Sequence, residues 1–259
     1  MKAIILAAGY ATRLYPLTEN FPKPLLEVGG KTILDHLIDQ LKTITDIDHA
    51  YIVTNHRFHG HFTDWARKRA ENIRSETQAH TGLRTDILDD GTASNDDRLG
   101  AVGDIQFAVE ARDITDDAIV LAADNILQFS IQKFVNTFKS NPVSHITVRH
   151  NPDYEDRKRR GNVKLDENNK VTEFIEKPEE PISEWSVPPF YIYPSTTLPR
   201  IKAYITSGGN PDAPGHFAEW LHKQETVYAY KIEGSVLDIG NHESLAEARA
   251  FFESQDTSS

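Results

Sequence analysis

Short apolar runs alternate with longer segments of helical periodicity along the first half of the chain. Lys2-Ala-Ile-Ile-Leu6 is a compact run that predicts a buried strand. From Thr32 onward, Ile33, Leu34, Leu37, Ile38, Leu41 and Ile44 recur at intervals of three and four, which predicts an amphipathic helix. Ala50 to Thr54 reads as a strand, and Phe58, Phe62, Trp65 and Ala66 as one face of a second helix. Further strands are expected at Thr85 to Leu88, Ala118 to Ala123 and His145 to Val148, with helices over Gly100 to Glu110 and Ser130 to Lys139. Such alternation favours right-handed crossovers. It predicts an α/β fold: a Rossmann-like, doubly wound, mostly parallel sheet in three α/β/α layers.

After residue 150 the pattern changes. Asn162 to Leu165 and Lys170 to Ile175 flank Asp166-Glu-Asn-Asn169, the wording of a hairpin turn. Val187 to Tyr193 is expected to form one strand and Thr226 to Ile232 another. Phe217, Trp220 and Leu221 read as helical, as do Leu245, Ala246, Ala248 and Phe252. This section is expected to be a small α+β extension of the same sheet. The chain is accordingly read as a single domain, 1–259, with a first part over 1–150 and a second over 151–250. Gln255 to Ser259 is a polar tail, expected to fray.

Composition narrows the function classes. A chain of 259 residues with 39% hydrophobic positions can bury a substantial core. Lys and Arg number 28 against 39 Asp and Glu, a formal charge of −11, which disfavours nucleic-acid binding through broad phosphate neutralisation. A local basic pocket for a phosphorylated small molecule stays compatible with it. The absence of cysteine removes disulfides, thiolate metal sites and cysteine nucleophiles together. The apolar run Ala3 to Ala8 is broken by Gly9, and no stretch reaches the ~20 residues of a membrane span. The expectation is a soluble cytoplasmic protein with neither a membrane nor a nucleic-acid partner.

Directly after the first strand come Leu6-Ala-Ala-Gly-Tyr-Ala-Thr-Arg-Leu-Tyr-Pro-Leu-Thr18 and then Phe21-Pro-Lys-Pro-Leu-Leu26. Any one of these residues alone would suit a plain surface loop. Together, a small-residue turn at a strand end lets backbone N–H groups approach an anion, and Arg13 and Lys23 bring two cations to the same loop. Neither Gly-x-Gly-x-x-Gly nor a Gly-Lys-Ser/Thr P-loop is present. The segment Leu6 to Leu26 resembles the opening of the sugar-1-phosphate nucleotidylyltransferases, Leu-Ala-Ala/Gly-Gly-x-Gly-Thr-Arg-Leu-x-Pro-Leu-Thr followed by Pro-Lys-Pro-Leu. The resemblance implies nucleotide contacts from Leu6, Ala8, Gly9, Tyr10, Ala11, Thr12 and Arg13. It makes 1–150 the nucleotide-binding part and 151–250 the sugar-phosphate-binding part. Ala11 replaces the family's second glycine. Because Thr12, Arg13 and Leu14 follow in register, Ala11 is expected to have ordinary backbone angles.

Three later constellations fit the same resemblance. In Asp89-Asp-Gly-Thr-Ala-Ser-Asn-Asp-Asp-Arg-Leu-Gly-Ala101, the family's spacing back from Leu99-Gly100 reaches Asn95. Its amide can pair with a pyrimidine edge, and Gly100 joins the nucleotide contacts; the bland alternative is a polar helix-capping loop. Asp124, in Val120-Leu-Ala-Ala-Asp-Asn125, stands at the carboxyl end of an apolar run, where open α/β sheets bind ligands. For Asp124 the bland alternative is the N-cap of a following segment. With Asp238, in Val236-Leu-Asp-Ile-Gly240, the resemblance makes it a Mg²⁺ ligand, and two carboxylates suit a hard cation whose shell phosphate oxygens complete. Finally, Glu173-Phe-Ile-Glu-Lys-Pro178 matches the family's Glu-Lys-Pro. It implies Lys177 on the sugar phosphate and Glu176 on a sugar hydroxyl, with Gly161 and Val187 lining the sugar. Pro188 and Pro189 stand where the family has a hydroxyl donor and a glycine. The run Arg157-Lys-Arg-Arg160 and the histidines His56, His59 and His61 are read as solvated surface groups before any steering or metal role.

The reaction so implied is attack of a sugar-1-phosphate oxygen on the α-phosphorus of a nucleoside triphosphate, dTTP or UTP favoured, expelling pyrophosphate with Mg²⁺ as cofactor. Arg13, Lys23 and Lys177 are its catalytic candidates. A cytidylyltransferase for phosphocholine or a polyol phosphate, and a non-catalytic nucleotide-sugar-binding regulator, are the alternatives. A homo-oligomer is expected from family habit alone. The short stretch after the Asp238 motif is read as leaving no room for the β-helix domain of some relatives.

Overall fold

A computed structural model describes residues 1–75 and 82–256. Its strands are β1 (Lys2–Leu6), β2 (Glu27–Val28), β3 (Lys31–Thr32), β4 (His49–Thr54), β5 (Arg84–Asp89), β6 (Ala118–Ala122), β7 (Asn125–Leu127), β8 (Ser144–His150), β9 (Gly161–Leu165), β10 (Val171–Glu176), β11 (Trp185–Val187), β12 (Phe190–Tyr193), β13 (Val227–Lys231) and β14 (Val236–Asp238). The helices are α1 (Ile33–Leu41), α2 (His59–Ser75), α3 (Ala101–Ala111), α4 (Ile131–Ser140), α5 (Tyr154–Arg157), α6 (Leu198–Thr206), α7 (Pro214–Leu221) and α8 (His242–Asp256). They build two compact units that interleave along the chain rather than dividing at residue 150. One, here the loop unit, takes Ile5–Arg98, Ala122–Phe129 and Ser235–Ser259; the other, the hairpin unit, takes Met1–Ile4, Leu99–Leu121 and Ser130–Gly234.

In the loop unit β4 and β5 are parallel, in register from His49↔Arg84 to Thr54↔Asp89. The end of β1 lies alongside, its following residue Ala7 donating to Val53 O at 2.8 Å. Ala50 to Thr54 are all buried, the continuous apolar burial of a covered parallel strand. Helix α1 begins where Thr32 and Asp35 cap each other reciprocally, and it ends at Leu41, so Ile44 is buried beyond the helix. An apolar cluster of Leu14, Leu26, Val28, Ile33, Ile126, Ile239, Leu245 and Ala248 joins the opening loop to β7, β14 and α8.

In the hairpin unit the strand order is β10-β9-β11-β8-β12-β6, continuing to β1, with β13 parallel to β8. The pairs β10/β9, β11/β9, β11/β8, β12/β8 and β12/β6 are antiparallel. The α/β class therefore holds, with a mixed sheet whose antiparallel members follow the change of pattern after residue 150. The hairpin turn forms as expected: Asp166 Oδ1 accepts from the N–H groups of Asn168 and Lys170, and Asn169 takes φ 64°.

One expected strand is corrected. Val187 to Tyr193 is not continuous but splits into β11 and β12 at Pro188-Pro189. Neither proline has an N–H for the ladder, and the Phe190 N–H turns back onto Pro188 O at 2.8 Å. Helix α8 carries Gln255 and Asp256, so the polar tail begins later than expected, and residues 257–259 lie outside the described residues. No helix among the described residues is long and apolar enough to cross a membrane.

The turn between β2 and β3 offers a test of the loop unit's packing. Gly29 has φ 58°, and a Cβ there would meet the base of the Phe252 side chain, 2.6 Å from Cγ and 2.9 Å from Cβ. Gly29→Ala should lower the unfolding free energy by about 2–4 kcal/mol, combining left-handed strain with displacement of a packed ring. Urea titration checks this; a loss under about 1 kcal/mol would mean that α8 yields freely at Phe252.

Candidate functional site

In the loop unit, three remote segments meet at one ammonium group. Lys23 sits in the turn Lys23–Leu25, fixed by prolines on both sides, and its side chain is only 11% exposed. Its Nζ donates to Asp124 Oδ2 at 2.7 Å and to the Ile239 carbonyl at 2.8 Å. Asp124 links β6 to β7. Its other carboxyl oxygen accepts from Asn125 Nδ2 at 2.6 Å, and its carbonyl accepts from the Ile239 N–H at 3.0 Å. Asp238, the last residue of β14, is the cross-strand partner of Asn125, and Asp124 is the turn residue immediately before it, so the two expected metal carboxylates stand at the same end of this strand pair. Burial pushes the Asp124 carboxyl up. The charge and hydrogen bond of Lys23, with the field of Arg13 added, outweigh that and hold it below the usual carboxylate range. Arg13 is exposed and, among the described residues, makes no hydrogen bond or ion pair of its own.

The donor set suits a divalent cation. It offers carboxylate and carbonyl oxygens, and an ammonium already stands against one carboxylate as a surrogate positive charge. No group of three His, Cys, Asp or Glu residues is disposed for a metal among the described residues. Any ion here would therefore need phosphate or water oxygens to complete its shell. His56 instead pairs with Asp89 at 2.7 Å, as expected of a surface histidine.

The opening loop brings one correction. Ala11 is in the left-handed region, φ 47° and ψ 43°, not at ordinary angles. Its carbonyl is caught by Thr18 Oγ1 at 2.8 Å and by the Leu14 N–H at 3.0 Å, and its methyl packs against the apolar cluster, so the surroundings impose the conformation. The position thus uses the backbone geometry a glycine would adopt. Thr12 and Arg13 follow in a single 3₁₀ turn, Thr12–Leu14. Leu6 ends β1, Ala8 and Tyr10 are buried, and Gly9 is exposed with open space where a Cβ would project. Asn55, absent from the sequence reading, fixes this loop from below: Nδ2 donates to Ala8 O at 2.8 Å, while Oδ1 accepts the Phe58 N–H at 2.9 Å. It stands directly after an apolar strand, and only the structure shows that its amide is fully buried. Asn95 lies on an exposed turn whose backbone is held by Asp97.

In the hairpin unit, Gly161 stands in one cross-strand row between Val187 and Glu176. Lys177 follows at φ 51°, its N–H on Arg160 O at 3.2 Å; its ammonium has no hydrogen bond or ion pair among the described residues. Burial raises the Glu176 carboxyl to about 7; Lys177 opposes the shift, and Glu219 and Asp212 add to it. Gly100, φ 78°, caps α3, and the Pro211 carbonyl fills the space of its missing Cβ at 2.5 Å. Most of the basic run is tied down locally. Arg157 bonds Asn151 O, Lys158 bonds Glu155, and Arg160 bonds Asp156, while Arg159 is exposed.

The chain belongs to the nucleotidyl transferase family, whose model matches residues 2–255. It is 28% identical over 97% of its length to the bifunctional protein GlmU of Methanocaldococcus jannaschii, spanning 54% of that relative. It is 26% identical to the UTP–glucose-1-phosphate uridylyltransferase AglF of Haloferax volcanii, covering 99% of this chain and 98% of that one. Among solved structures it is similar to a candidate glucose-1-phosphate thymidylyltransferase of Bacillus anthracis in complex with a sucrose. That match has 25% identity and a TM-score of 0.72, covering 97% and 95% of the two chains. These relatives bear out the resemblance read from the opening loop.

Two outcomes follow from this geometry. Ala11→Gly loses a methyl contact and gains chain entropy in the unfolded state, together about 1.5 kcal/mol, but relieves left-handed strain of about 1–2 kcal/mol. It should therefore stay within about 0.5 kcal/mol of the parent in urea unfolding, and a loss of 1.5 kcal/mol would place Ala11 at ordinary angles. Glu176 titrates higher in the folded chain than in the unfolded one, so its neutral form favours folding. That stability is complete below its ordinary value of 4.5 and is lost as the pH rises through about 7. The stability difference between the parent and Glu176→Gln should fall between pH 5 and pH 8. A flat difference would mean the carboxyl is not perturbed.

Proposed function

We propose that this chain transfers a nucleotidyl group from a nucleoside triphosphate to a sugar-1-phosphate, releasing pyrophosphate and a nucleotide-diphospho-sugar. The observation that carries the reading is the convergence of Lys23, Asp124 and the Asp238 strand end, under the field of Arg13, within one unit of a chain matching the family over residues 2–255. Such a transfer asks little covalent help of a protein. Two anions must be held in line, and charge building on the α-phosphoryl oxygens must be offset.

Arg13, exposed and without a hydrogen bond or ion pair among the described residues, would hold the triphosphate and the departing pyrophosphate. Lys23 would neutralise phosphoryl oxygens beside the carboxylate it already touches. Backbone groups of Ala8, Gly9, Tyr10, Ala11 and Thr12 would line the phosphates, with Leu6, Asn95 and Gly100 on the nucleoside side. Lys177 would orient the attacking phosphate, while Gly161, Glu176 and Val187 line the sugar. A magnesium ion held by Asp124 and Asp238 would supply Lewis-acid polarisation of the α-phosphate. No general base is needed, since a sugar phosphate is already ionised at neutral pH. Uridylyl or thymidylyl transfer is favoured. The UTP-using Haloferax volcanii relative matches end to end, and the Asn95 amide can pair with a pyrimidine edge. Nucleoside triphosphates as substrates also favour the cytoplasm.

Pyrophosphate release from a panel of five triphosphates against hexose-1-phosphates, phosphocholine and polyol phosphates tests the reading. Turnover should need a sugar-1-phosphate and be abolished by chelation of divalent cations. Asp238→Asn and Lys177→Ala should each lower kcat by ~10²–10³-fold with the fold retained, the usual loss for one transition-state charge contact. Near-parental rates would remove either residue from its role.

A further inference from the structure

Glu176 ends β10, and Gly215 is the second residue of α7. A Cβ on Gly215 would stand 1.9 Å from Glu176 Oε2 and 2.6 Å from its carboxyl carbon. On Gly161 it would stand 2.9 Å from the same oxygen. The carboxyl is thus clasped between two residues that have no side chain. Neither glycine has a positive φ, so backbone conformation requires neither of them. Within a helix glycine is a poor choice, and alanine would serve α7 better. What Gly215 supplies is room.

The carboxyl lying in that room has no hydrogen-bond donor among the described residues. The Glu176 backbone N–H donates to Glu219 Oε2 at 3.0 Å, which fixes the main chain and leaves the carboxyl oxygens to another donor. Carboxyls shifted upward by burial are usually bonded within the protein, and one left without a donor keeps its oxygens for a donor from outside. Nearby Glu219 and Asp212 are acidic and add no donor, so the complementary ligand face is one rich in O–H or N–H groups. Gly161 belongs to the family resemblance, whereas Gly215 lies outside every motif read from the sequence.

We infer that Gly215 is a positioning residue for the acceptor: its missing side chain lets the Glu176 carboxyl lie against α7, aimed at hydroxyl or amine donors of the sugar phosphate. The inference rests on the sugar-1-phosphate reading above.

Gly215→Ala tests it in steady-state kinetics. The KM for the sugar-1-phosphate should rise at least about tenfold, the scale of one broken charge-assisted hydrogen bond to substrate, with the KM for the triphosphate unchanged. Its thermal midpoint should match or exceed the parent's. Glu176→Ala gives the control, because with the carboxyl gone the added methyl has nothing to displace. Gly215→Ala on that background should leave the acceptor KM where Glu176→Ala alone puts it, a fully coupled cycle. An unchanged acceptor KM in Gly215→Ala, or additive effects in the pair, overturns the inference. Failure to fold in both backgrounds assigns the glycine to the helix and also overturns it. A parent chain that turns over with a sugar-1-phosphate while Gly215→Ala behaves like it refutes this inference alone; a parent inactive with every sugar-1-phosphate takes the functional reading down as well.

Discussion

The loop unit depends on one shared cation. Lys23 Nζ is divided between the Asp124 carboxylate and the Ile239 carbonyl, 101 and 216 residues away along the chain. A nearly covered ammonium must be fully paired or it would cost several kcal/mol. The chain meets that demand by setting each polar member beside an apolar anchor. Leu14 follows Arg13, Leu26 lies three residues past Lys23, Ile126 two past Asp124, and Ile239 directly after Asp238. All four anchors belong to one buried cluster. Packing brings the segments together, and the ammonium then fixes their register. Electrostatics alone could not hold loops this far apart in sequence against chain entropy; the apolar cluster does that first.

Glu176 shows the opposite arrangement. Asp124 is surrounded by donors and stays ionised, whereas Glu176 lies half-buried among acidic neighbours, has no donor among the described residues and is raised to about 7. The contrast follows from location. Asp124 occupies a junction where two strands and a proline-flanked turn supply N–H groups and a cation. Glu176 ends an outer strand beside two glycines, and its adjacent Lys177 is turned away from strand geometry by φ 51°. One carboxylate is organised by the protein, the other is left for what the protein receives.

Most of the framework was legible in the sequence because burial writes itself as apolar runs. β1, β4, β6 and α1 were read within a residue or a few of their observed ends, and the opening loop was located by wording and by placement after a strand. What escaped was short or context-dependent. β7 and β14 have three residues each and exist because they pair with one another, a long-range fact no local window contains. The break at Pro188-Pro189 was visible as chemistry, and was missed because the flanking aromatic and aliphatic residues outweighed it. Ala11 is the instructive case. Its local sequence suits ordinary angles, and the Thr18 hydroxyl together with the apolar cluster decides otherwise. For the site, the charged residues could be listed from the sequence, while Asn55 and Gly215, which hold or make room for others, could not.

A chain carrying −11 is at first sight a poor host for a polyphosphate. Net charge, however, acts at distances that salt screens within ~8 Å, whereas a bound anion feels the groups that touch it. Two acids of this unit are already engaged: Asp124 by Lys23 and Asn125, and Asp97 by the N–H groups of Ala93 and Ser94. Arg13 stands exposed in the same unit without an ion pair of its own among the described residues, and Gly9 beside it leaves the backbone open. Cations and backbone dipoles of the loop therefore act on a bound anion at close range even though the molecule as a whole is acidic. An acidic remainder disfavours long polyanions, which must lie across much of a surface, far more than a small anion that touches only the loop.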